Sequence, residues 1–305
     1  MKEFQKVRRP CPVCGSRDES IVFVDEKINP EKLDSLAFSS RKIPENMYHR
    51  MVVCPECDLL YANPLPRKGE IFQGYQEADF ESSEESHFAA RTYARYLPEI
   101  IRHIPGTHGA LDIGTGDGAF LEELLKHGMT GVVGIEPSRA PVKASRPEIK
   151  PLIRNRFFRP RDFRKNSMSL VSCFQTFEHL YDPEQMIRGV HAILREGGAF
   201  LAVSHNRKSL SARLMGLKSP IYDIEHLQLF SPRSIQYFFE KAGFVGVRVE
   251  SLFNVYPLHY WIKLFPLPKG MKLFLMKFLK RVGIGYLPIP LPAGNMAIIG
   301  YKKHQ

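Results

Sequence analysis

The sequence predicts an α/β fold: an open, mostly parallel sheet carrying helices on its faces, preceded by a small cysteine-rich domain. Three observations predict it. Beyond residue 75, short apolar runs alternate with helical stretches, the grammar of parallel strands joined by helices. "LDIGTGDGAF" (111–120) packs glycines into a strand-to-helix turn. Four of the five cysteines form two Cys-x-x-Cys pairs before residue 58.

The pairs are Cys11 and Cys14 in "CPVCG", and Cys54 and Cys57 in "CPECD". Each Cys-x-x-Cys turn brings two thiolates to one side of a tight loop, and two such knuckles complete a tetrahedron around zinc. Gly15 follows the first pair, where a knuckle favours a residue that tolerates positive φ. A redox Cys-x-x-Cys starts a helix, whereas proline and glycine here argue for loops. A segment of this size with little apolar content needs a staple. The stretch between the knuckles, "EKLDSLAFSSRKIPENMYHR", is mixed in charge and not a basic stripe, so residues 1–75 are expected to form a structural zinc ribbon. Cys173 lies in an apolar run and reads as a buried thiol.

The later elements follow in order. "RTYARYLPEIIRHI" (91–104) has helical spacing and stops at Pro105-Gly106. "GALDI" is a buried strand and "DGAFLEELLKHG" a helix ended by Gly128. "TGVVGIEPS" is the second strand, "IKPLI" the third and "MSLVSCFQTFEHL" the fourth. Asp182 caps the helix "DPEQMIRGVHAILREGG", with Pro183 as its first residue. "AFLAVSH" is the fifth strand, "SPRSIQYFFEKAGF" another capped helix, and "VGVRVESLF" and "NMAIIGYKK" the last strands. Ligands of such sheets bind beyond the carboxyl ends of the strands.

The composition, 44% hydrophobic and 25% charged, is ordinary for a globular protein. The N-terminus has no apolar signal region, and no run of about 18 apolar residues exists, so a cytoplasmic location is expected. A formal charge of +11 points to an anionic partner: a phosphorylated small molecule, a nucleic acid or an acidic membrane.

Two cofactors use turns like that at 111–120. Gly114, Gly116 and Ala119 fit the spacing for a dinucleotide pyrophosphate. Gly114, Gly116 and Gly118, led by Asp112, fit S-adenosylmethionine. Asp112 discriminates: a carboxylate there repels a pyrophosphate but helps to hold an ammonium and a sulfonium. Glu136, ending the second strand in "GIEPS", can accept from both ribose hydroxyls of either cofactor. Together, "LDIGTGDGAFLEEL", "GIEPS", "CFQTFEHLYDPEQMI", "LREGGAFLAVS" and "EHLQLFSPRSIQYFFEKAGF" resemble the successive motifs of class I S-adenosylmethionine-dependent methyltransferases. The knuckles with "LLYANPLP" resemble the zinc-binding front end of a bacterial subgroup from sugar, polysaccharide and secondary-metabolite pathways, some members of which C-methylate nucleotide-linked deoxysugars.

The resemblance covers roughly residues 86–250 plus the last strand. It implies a Rossmann-like seven-stranded sheet with a final antiparallel strand, spanning 86–305 with a lid insertion at about 252–293. It carries over Asp112, Gly114, Gly116 and Gly118 as the cofactor loop and Glu136 as the ribose acid, and puts Gln175 and Thr176 beside the cofactor. For adenine, "RNRFFRPRDF" offers Phe157, Phe158 and Asp162, with Phe158 ranked first. Ser169 stands where many relatives carry an acid, at a usually structural position. Two histidines stand at the ligand edge: His179 after the fourth strand and His226 in "YDIEHLQLFS". In the sugar C-methyltransferases, a histidine in the corresponding loop is proposed as the base, with tyrosines nearby. Here that implies His226 as base, His179 as positioning group, and Tyr222 and Tyr75 as helpers. Either Glu-His pair could instead hydrogen-bond loop backbone.

Two segments remain. "KPLIRNRFFRPRDFRK" (150–165) is basic and reads either as a nucleic-acid contact or as a solvated face with its phenylalanines packed inward, the latter preferred. "GMKLFLMKFLKRVG" (270–283) is an amphipathic helix. It reads as a lid packed on the domain, or as a peripheral membrane contact. The expected activity is methyl transfer to an oxygen or carbon of a small, anionic acceptor such as a nucleotide-linked sugar or glycan precursor. An RNA methyltransferase and a non-catalytic cofactor-binding module are the alternatives.

Overall fold

The structure, a computed structural model, describes residues 6–19, 21–29, 47–67, 69, 83–265 and 267–304. Tyr75 and most of the stretch between the two knuckles lie outside these described residues. The N-terminal part contributes short strands β1 (Lys6–Val7), β2 (Ile21–Val24), β3 (Met51–Val53), β4 (Leu60–Ala62) and β5 (Leu65–Pro66). Next come helices α1 (Ser83–Ala94) and α2 (Leu97–His103), then β6 (His108–Ile113), α3 (Ala119–Lys126), β7 (Thr130–Ile135), α4 (Arg139–Ala144) and β8 (Ile153–Arg154). They continue with β9 (Met168–Phe174), α5 (Pro183–Ile193), β10 (Leu194–His205), α6 (Leu210–Met215), β11 (Gln228–Leu229) and α7 (Pro232–Lys241). Strand β12 (Phe244–Pro257), helices α8 (Leu258–Leu264) and α9 (Lys269–Arg281), and β13 (Pro288–Lys302) close the chain.

Seven strands form one sheet in the order β12-β13-β10-β9-β6-β7-β8. Five pair in parallel, and β13 runs antiparallel to both β10 and β12. This is the expected sheet with its reversed final strand. Two caps read from sequence are formed: Asp182 accepts from the Gln185 N–H, and Ser231 makes a reciprocal capping box with Ser234. Ser169 is structural, its hydroxyl donating to the His108 carbonyl at 2.9 Å.

Three expectations change. The stretch 91–104 is not one helix: it breaks after Ala94 and restarts at Leu97, because Pro98 lacks an N–H and its ring would meet the Ala94 carbonyl. The third strand shrinks to Ile153–Arg154, since Pro151 lies in a 3-10 turn over 150–152. The last hairpin is longer than "VGVRVESLF" and "NMAIIGYKK": Asn254–Pro257 still pair with Pro288–Leu291, so the helical insertion begins at 258 and not at 252. A proline can extend a strand whose ladder asks for no N–H at that position.

The cysteine knuckles match one another. Gly15 and Asp58 both adopt positive φ, 85° and 65°. Each N–H returns to the first cysteine carbonyl of its knuckle, Cys11 or Cys54, at 2.9 Å. The Sγ atoms of Cys11 and Cys57 are 3.5 Å apart, those of Cys14 and Cys54 3.4 Å, and all four lie within 4.8 Å of one another. A tetrahedral Zn–S length of about 2.3 Å requires sulfurs about 3.8 Å apart, so the donor set fits structural zinc. Cys173 is fully buried in β9, away from this cluster.

The knuckle domain is welded to the sheet. Strand β4 pairs on one side with β3 and on the other with β11, which lies in the loop after β10. Cys11, Val13, Leu59 and Tyr61 share one core with Phe177, Phe200, Phe230 and Phe238. Asp58 pairs with Arg207 and Lys208, and Lys241 Nζ donates to the Val13 carbonyl at 2.7 Å. Half-buried Arg9 donates to the carbonyls of Leu227 (2.9 Å) and Tyr181 (3.2 Å). Burial lowers its pKa to about 10, so it stays charged at neutral pH.

Purified protein is expected to hold one zinc per chain. Chelation should raise hydrogen exchange at the β4 and β11 amides before that of β6 and β9, because stability is local and the staple holds the small sheet. Metal analysis and exchange mass spectrometry check this. A zinc-free protein with four freely reactive thiols and unchanged protection would rule out the staple.

Candidate active site

The site is built at the carboxyl ends of β6, β7, β9 and β10 around a cavity of about 680 Å³. Its first half starts with the turn after β6. Gly114, Gly116 and Gly118 have φ of 77°, 59° and 83°. A Cβ at Gly114 would run into Thr176 Oγ1, and one at Gly118 into Ile149, so side chains are excluded by conformation and by space. Asp112 is buried at the end of β6, and its Oδ1 accepts from Ser172 Oγ at 2.7 Å. Burial raises its pKa to about 6. Glu136, just past β7, accepts from the N–H groups of Gly116 (2.9 Å) and Ser138 (2.8 Å). Burial outweighs those donors and raises its pKa to about 7.

Gln175 follows β9 with φ 47°, its N–H donating to the Val203 carbonyl at 2.7 Å. It lines the cavity with Thr176, Phe157 and Phe158. Asp162 instead pairs with Arg156 at 3.3 Å and is not among the lining residues. Arg154, Arg156, Arg159, Arg161 and Arg164 of the basic segment are exposed while its phenylalanines are half-buried, the solvated-face arrangement.

The second half gathers three histidines. His179 and His226 have ring centroids 4.9 Å apart, and His205 and His226 5.2 Å. His226 Nδ1 lies 2.7 Å from the Ile221 carbonyl oxygen, and His179 Nδ1 3.2 Å from that of Glu225. A carbonyl only accepts, so both Nδ1 atoms carry the hydrogen, and in the neutral rings Nε2 keeps the lone pair. Burial lowers the pKa of His179, favouring that neutral form. The Glu225 carboxylate lies 4.0 Å from His226 Nε2 and 3.9 Å from His179 Nδ1. Ligand atoms of His179, Glu225 and His226 come within 4.8 Å of one another, a set that a divalent cation can also take. Glu178 is a brace: its Oε1 accepts from Ser204 Oγ and the His205 N–H, both at 2.6 Å.

Tyr222 departs from its expected place. It is not among the cavity-lining residues; its ring stacks on Phe23 of the N-terminal sheet at 5.5 Å, inside the core beneath the loop. Tyr256, Tyr260 and Trp261 of the hairpin and α8 line the cavity, whereas His259 gives Nδ1 to the Gly285 carbonyl at 2.8 Å. Sequence reasoning missed His205, Asp223 and Asn295, all lining residues. His205 carried a readable signal, as the last residue of the fifth strand; Asn295, bonded to it at 2.7 Å, arrives from the far end of the chain.

With this geometry in place, comparison with known proteins is informative. A family model described as a methyltransferase domain matches residues 83–249. The chain belongs to that methyltransferase family. Ubiquinone biosynthesis O-methyltransferases from Coxiella burnetii and Acinetobacter baylyi are each 23% identical to it, over 181 and 180 residues, covering 54% and 53% of this chain and 76% and 75% of theirs. The Bacillus subtilis YcgJ structure shares the fold with a TM-score of 0.50 at 16% identity, covering 70% of this chain and 100% of that one. The methyltransferase therefore uses S-adenosylmethionine, the cofactor of its family. Among the described residues no helix is long and apolar enough to cross a membrane.

Burial of Glu136 sets a pH dependence. Its pKa is raised from 4.5 to about 7 on folding, so the native state holds the proton more tightly. The associated stability is fully present below about pH 4.5 and is lost as pH rises through about 7. The cofactor-free enzyme should lose a few kcal/mol relative to Glu136→Gln across that window. Urea melts at a series of pH values measure the difference, and parallel curves for the two proteins would contradict the burial.

Proposed function

We propose that this methyltransferase moves a methyl group from S-adenosylmethionine to an oxygen or carbon of a small acceptor, such as a nucleotide-linked sugar or glycan precursor, in the cytoplasm. One observation carries the reading. A buried acid pair around a glycine turn and a histidine whose Nδ1 is bonded to a backbone carbonyl share a single cavity. The cofactor supplies a methyl carbon made electrophilic by its sulfonium. In this reading Asp112 faces the methionyl ammonium and Glu136 the ribose hydroxyls. Phe158, beside Phe157, packs on adenine, and Gln175 and Thr176 close the side. Gly114, Gly116 and Gly118 let backbone approach. His226 Nε2 takes the acceptor proton, His179 orients the acceptor, and Tyr256, Tyr260 and Trp261 exclude water. Tyr222 supports the loop from behind. Tyr75 remains a proposed helper from sequence alone.

The anionic acceptor needs refinement. The lining includes Asp112, Asp117, Glu136, Asp182, Asp223 and Glu225 but, among the described residues, no lysine or arginine. The reacting end is therefore a neutral hydroxyl or an acidic C–H, and an anionic group on the acceptor stays at the mouth. The O-methylating relatives agree with an oxygen acceptor and the subgroup resemblance with a carbon. An RNA substrate is disfavoured because Phe157 and Phe158 of the basic segment line the cavity, where they are assigned to adenine, and Phe163 lies against Phe158.

Turnover with the labelled methyl cofactor and a product identified from extract tests the reading. His226→Ala should lose about 10²–10⁴-fold in turnover with cofactor affinity unchanged, and His179→Ala less. Glu136→Ala should weaken cofactor binding by about 1–3 kcal/mol in calorimetry, and NAD should not bind. Near-normal turnover of the His226 variant would remove it as base, and unchanged cofactor affinity in the Glu136 variant would misplace the ribose.

A further inference from the structure

The C-terminal insertion turns its apolar residues outward. On α9, Phe274 and Phe278 stack with centroids 6.3 Å apart and are 67% and 51% exposed. Met271, Leu273 and Val282 are exposed beside them, followed by Ile284, Tyr286 and Leu287. The helix makes its main contacts with α8 and the turn at 284–286, and inward it turns Lys272, whose Nζ donates to the Lys263 carbonyl at 2.8 Å. A lid packed on the domain would bury the row Phe274-Phe278-Val282; this one presents it.

A second exposed apolar ridge lies on α6. Leu210 and Leu214 of α6 are 69% and 78% exposed, with Leu217 next to them. Helix α6 packs along β13, where a Cβ at Gly294 would run into Ser209 and Ser211. Ser211 and Met215 of α6 line the cavity together with Phe265 and Leu291, which are themselves exposed. The α6 ridge therefore borders the cavity mouth, and α9 follows the mouth residue Phe265 in the chain. The charges that these two segments themselves carry are basic, Arg207 and Lys208 being paired with Asp58. No aspartate or glutamate follows Glu250, and "NRKSLSARLMGLKSP" (206–220) contains none. Lys277, Lys280 and Arg281 on α9 and Arg213 and Lys218 near α6 are exposed.

We propose that this face seats the enzyme on an anionic lipid bilayer, with the cavity mouth turned towards it. Apolar side chains enter the acyl boundary while lysines and arginines meet the lipid phosphates, the arrangement of an interfacial amphipathic helix. A second copy of the chain would set the same cations against each other. The inference goes beyond the proposed transfer and does not rest on it, because vesicle binding needs no acceptor.

Vesicle sedimentation at about 0.1 M salt tests it, using phosphatidylcholine alone and phosphatidylcholine with phosphatidylglycerol. The wild type should bind the anionic vesicles and release them at high salt. Phe274→Ser with Phe278→Ser should bind at least tenfold more weakly. Lys277→Glu with Lys280→Glu and Arg281→Glu should lose about a hundredfold, from roughly 1 kcal/mol per cation. None of these side chains lines the cavity, so thermal melts and cofactor affinity serve as fold controls. No wild-type binding, or equal binding by folded variants, would overturn the proposal. Concentration-dependent dimerisation abolished by the phenylalanine substitutions, without vesicle binding, would assign the face to a second copy instead.

Discussion

The acceptor half of the site depends on one short pairing, β4 against β11. Two residues of β11 hydrogen-bond to a strand that lies three residues past the second knuckle, so the thiolate cluster fixes the loop holding His226. Burial holds the inner strands β3 and β4 of the N-terminal sheet, but its outer strand β2 leaves Ile21, Val22 and Phe23 all more than 40% exposed. The rest of the order comes from the knuckles, from Asp58 against Arg207 and Lys208, and from Arg9 threaded to the Leu227 and Tyr181 carbonyls. A half-buried guanidinium is tolerable only because those carbonyls satisfy it. The staple thus works at a distance, through backbone, on the placement of an imidazole.

The two halves of the cavity solve opposite electrostatic problems. In the cofactor half, burial pushes Asp112 and Glu136 towards neutrality. In the proposed assignment a bound ammonium and sulfonium would offset that cost, and an anionic pyrophosphate would add to it. In the acceptor half the need is for a neutral base. Burial holds His179 neutral, and carbonyl acceptors at Nδ1 fix the lone pairs of His179 and His226 on Nε2. The acids nearby are spread: Glu178 is consumed by Ser204 and His205, and Glu225 stands about 4 Å from the rings.

What was legible in the sequence was local. The glycine turn, Asp112, Glu136 and the caps at Asp182 and Ser231 each rest on residues a few positions apart, and each lies where that spacing says. The knuckles were legible for the same reason. What escaped was set by partners distant in the chain. Two-residue β11 has no periodicity to read and exists because β4 lies beside it. Tyr222 turns from the cavity because Phe23 covers it from a separate sheet. Asn295 enters the site from β13 to hold His205. The extra length of β12 is visible only once the prolines of β13 are seen to pair with it.

That division bears on how far kinship reaches. The family match ends at residue 249 and begins at 83. Inside it lie the glycine turn, Asp112, Glu136 and the cavity histidines His179, His205 and His226. Outside it lie the knuckles that fix the His226 loop, Tyr256, Tyr260 and Trp261 that close the cavity, and the exposed ridge of α9. Methyl chemistry needs only the first set: an electrophile held in place and a base of suitable pKa. Acceptor choice needs the second, because it is made by the walls and mouth of the cavity and by what the mouth faces. At 23% identity over 181 residues, a relative's acceptor does not carry over to this chain. The acceptor is therefore to be sought through the chemistry of the cavity walls, apolar and acidic, and not through the names of the relatives.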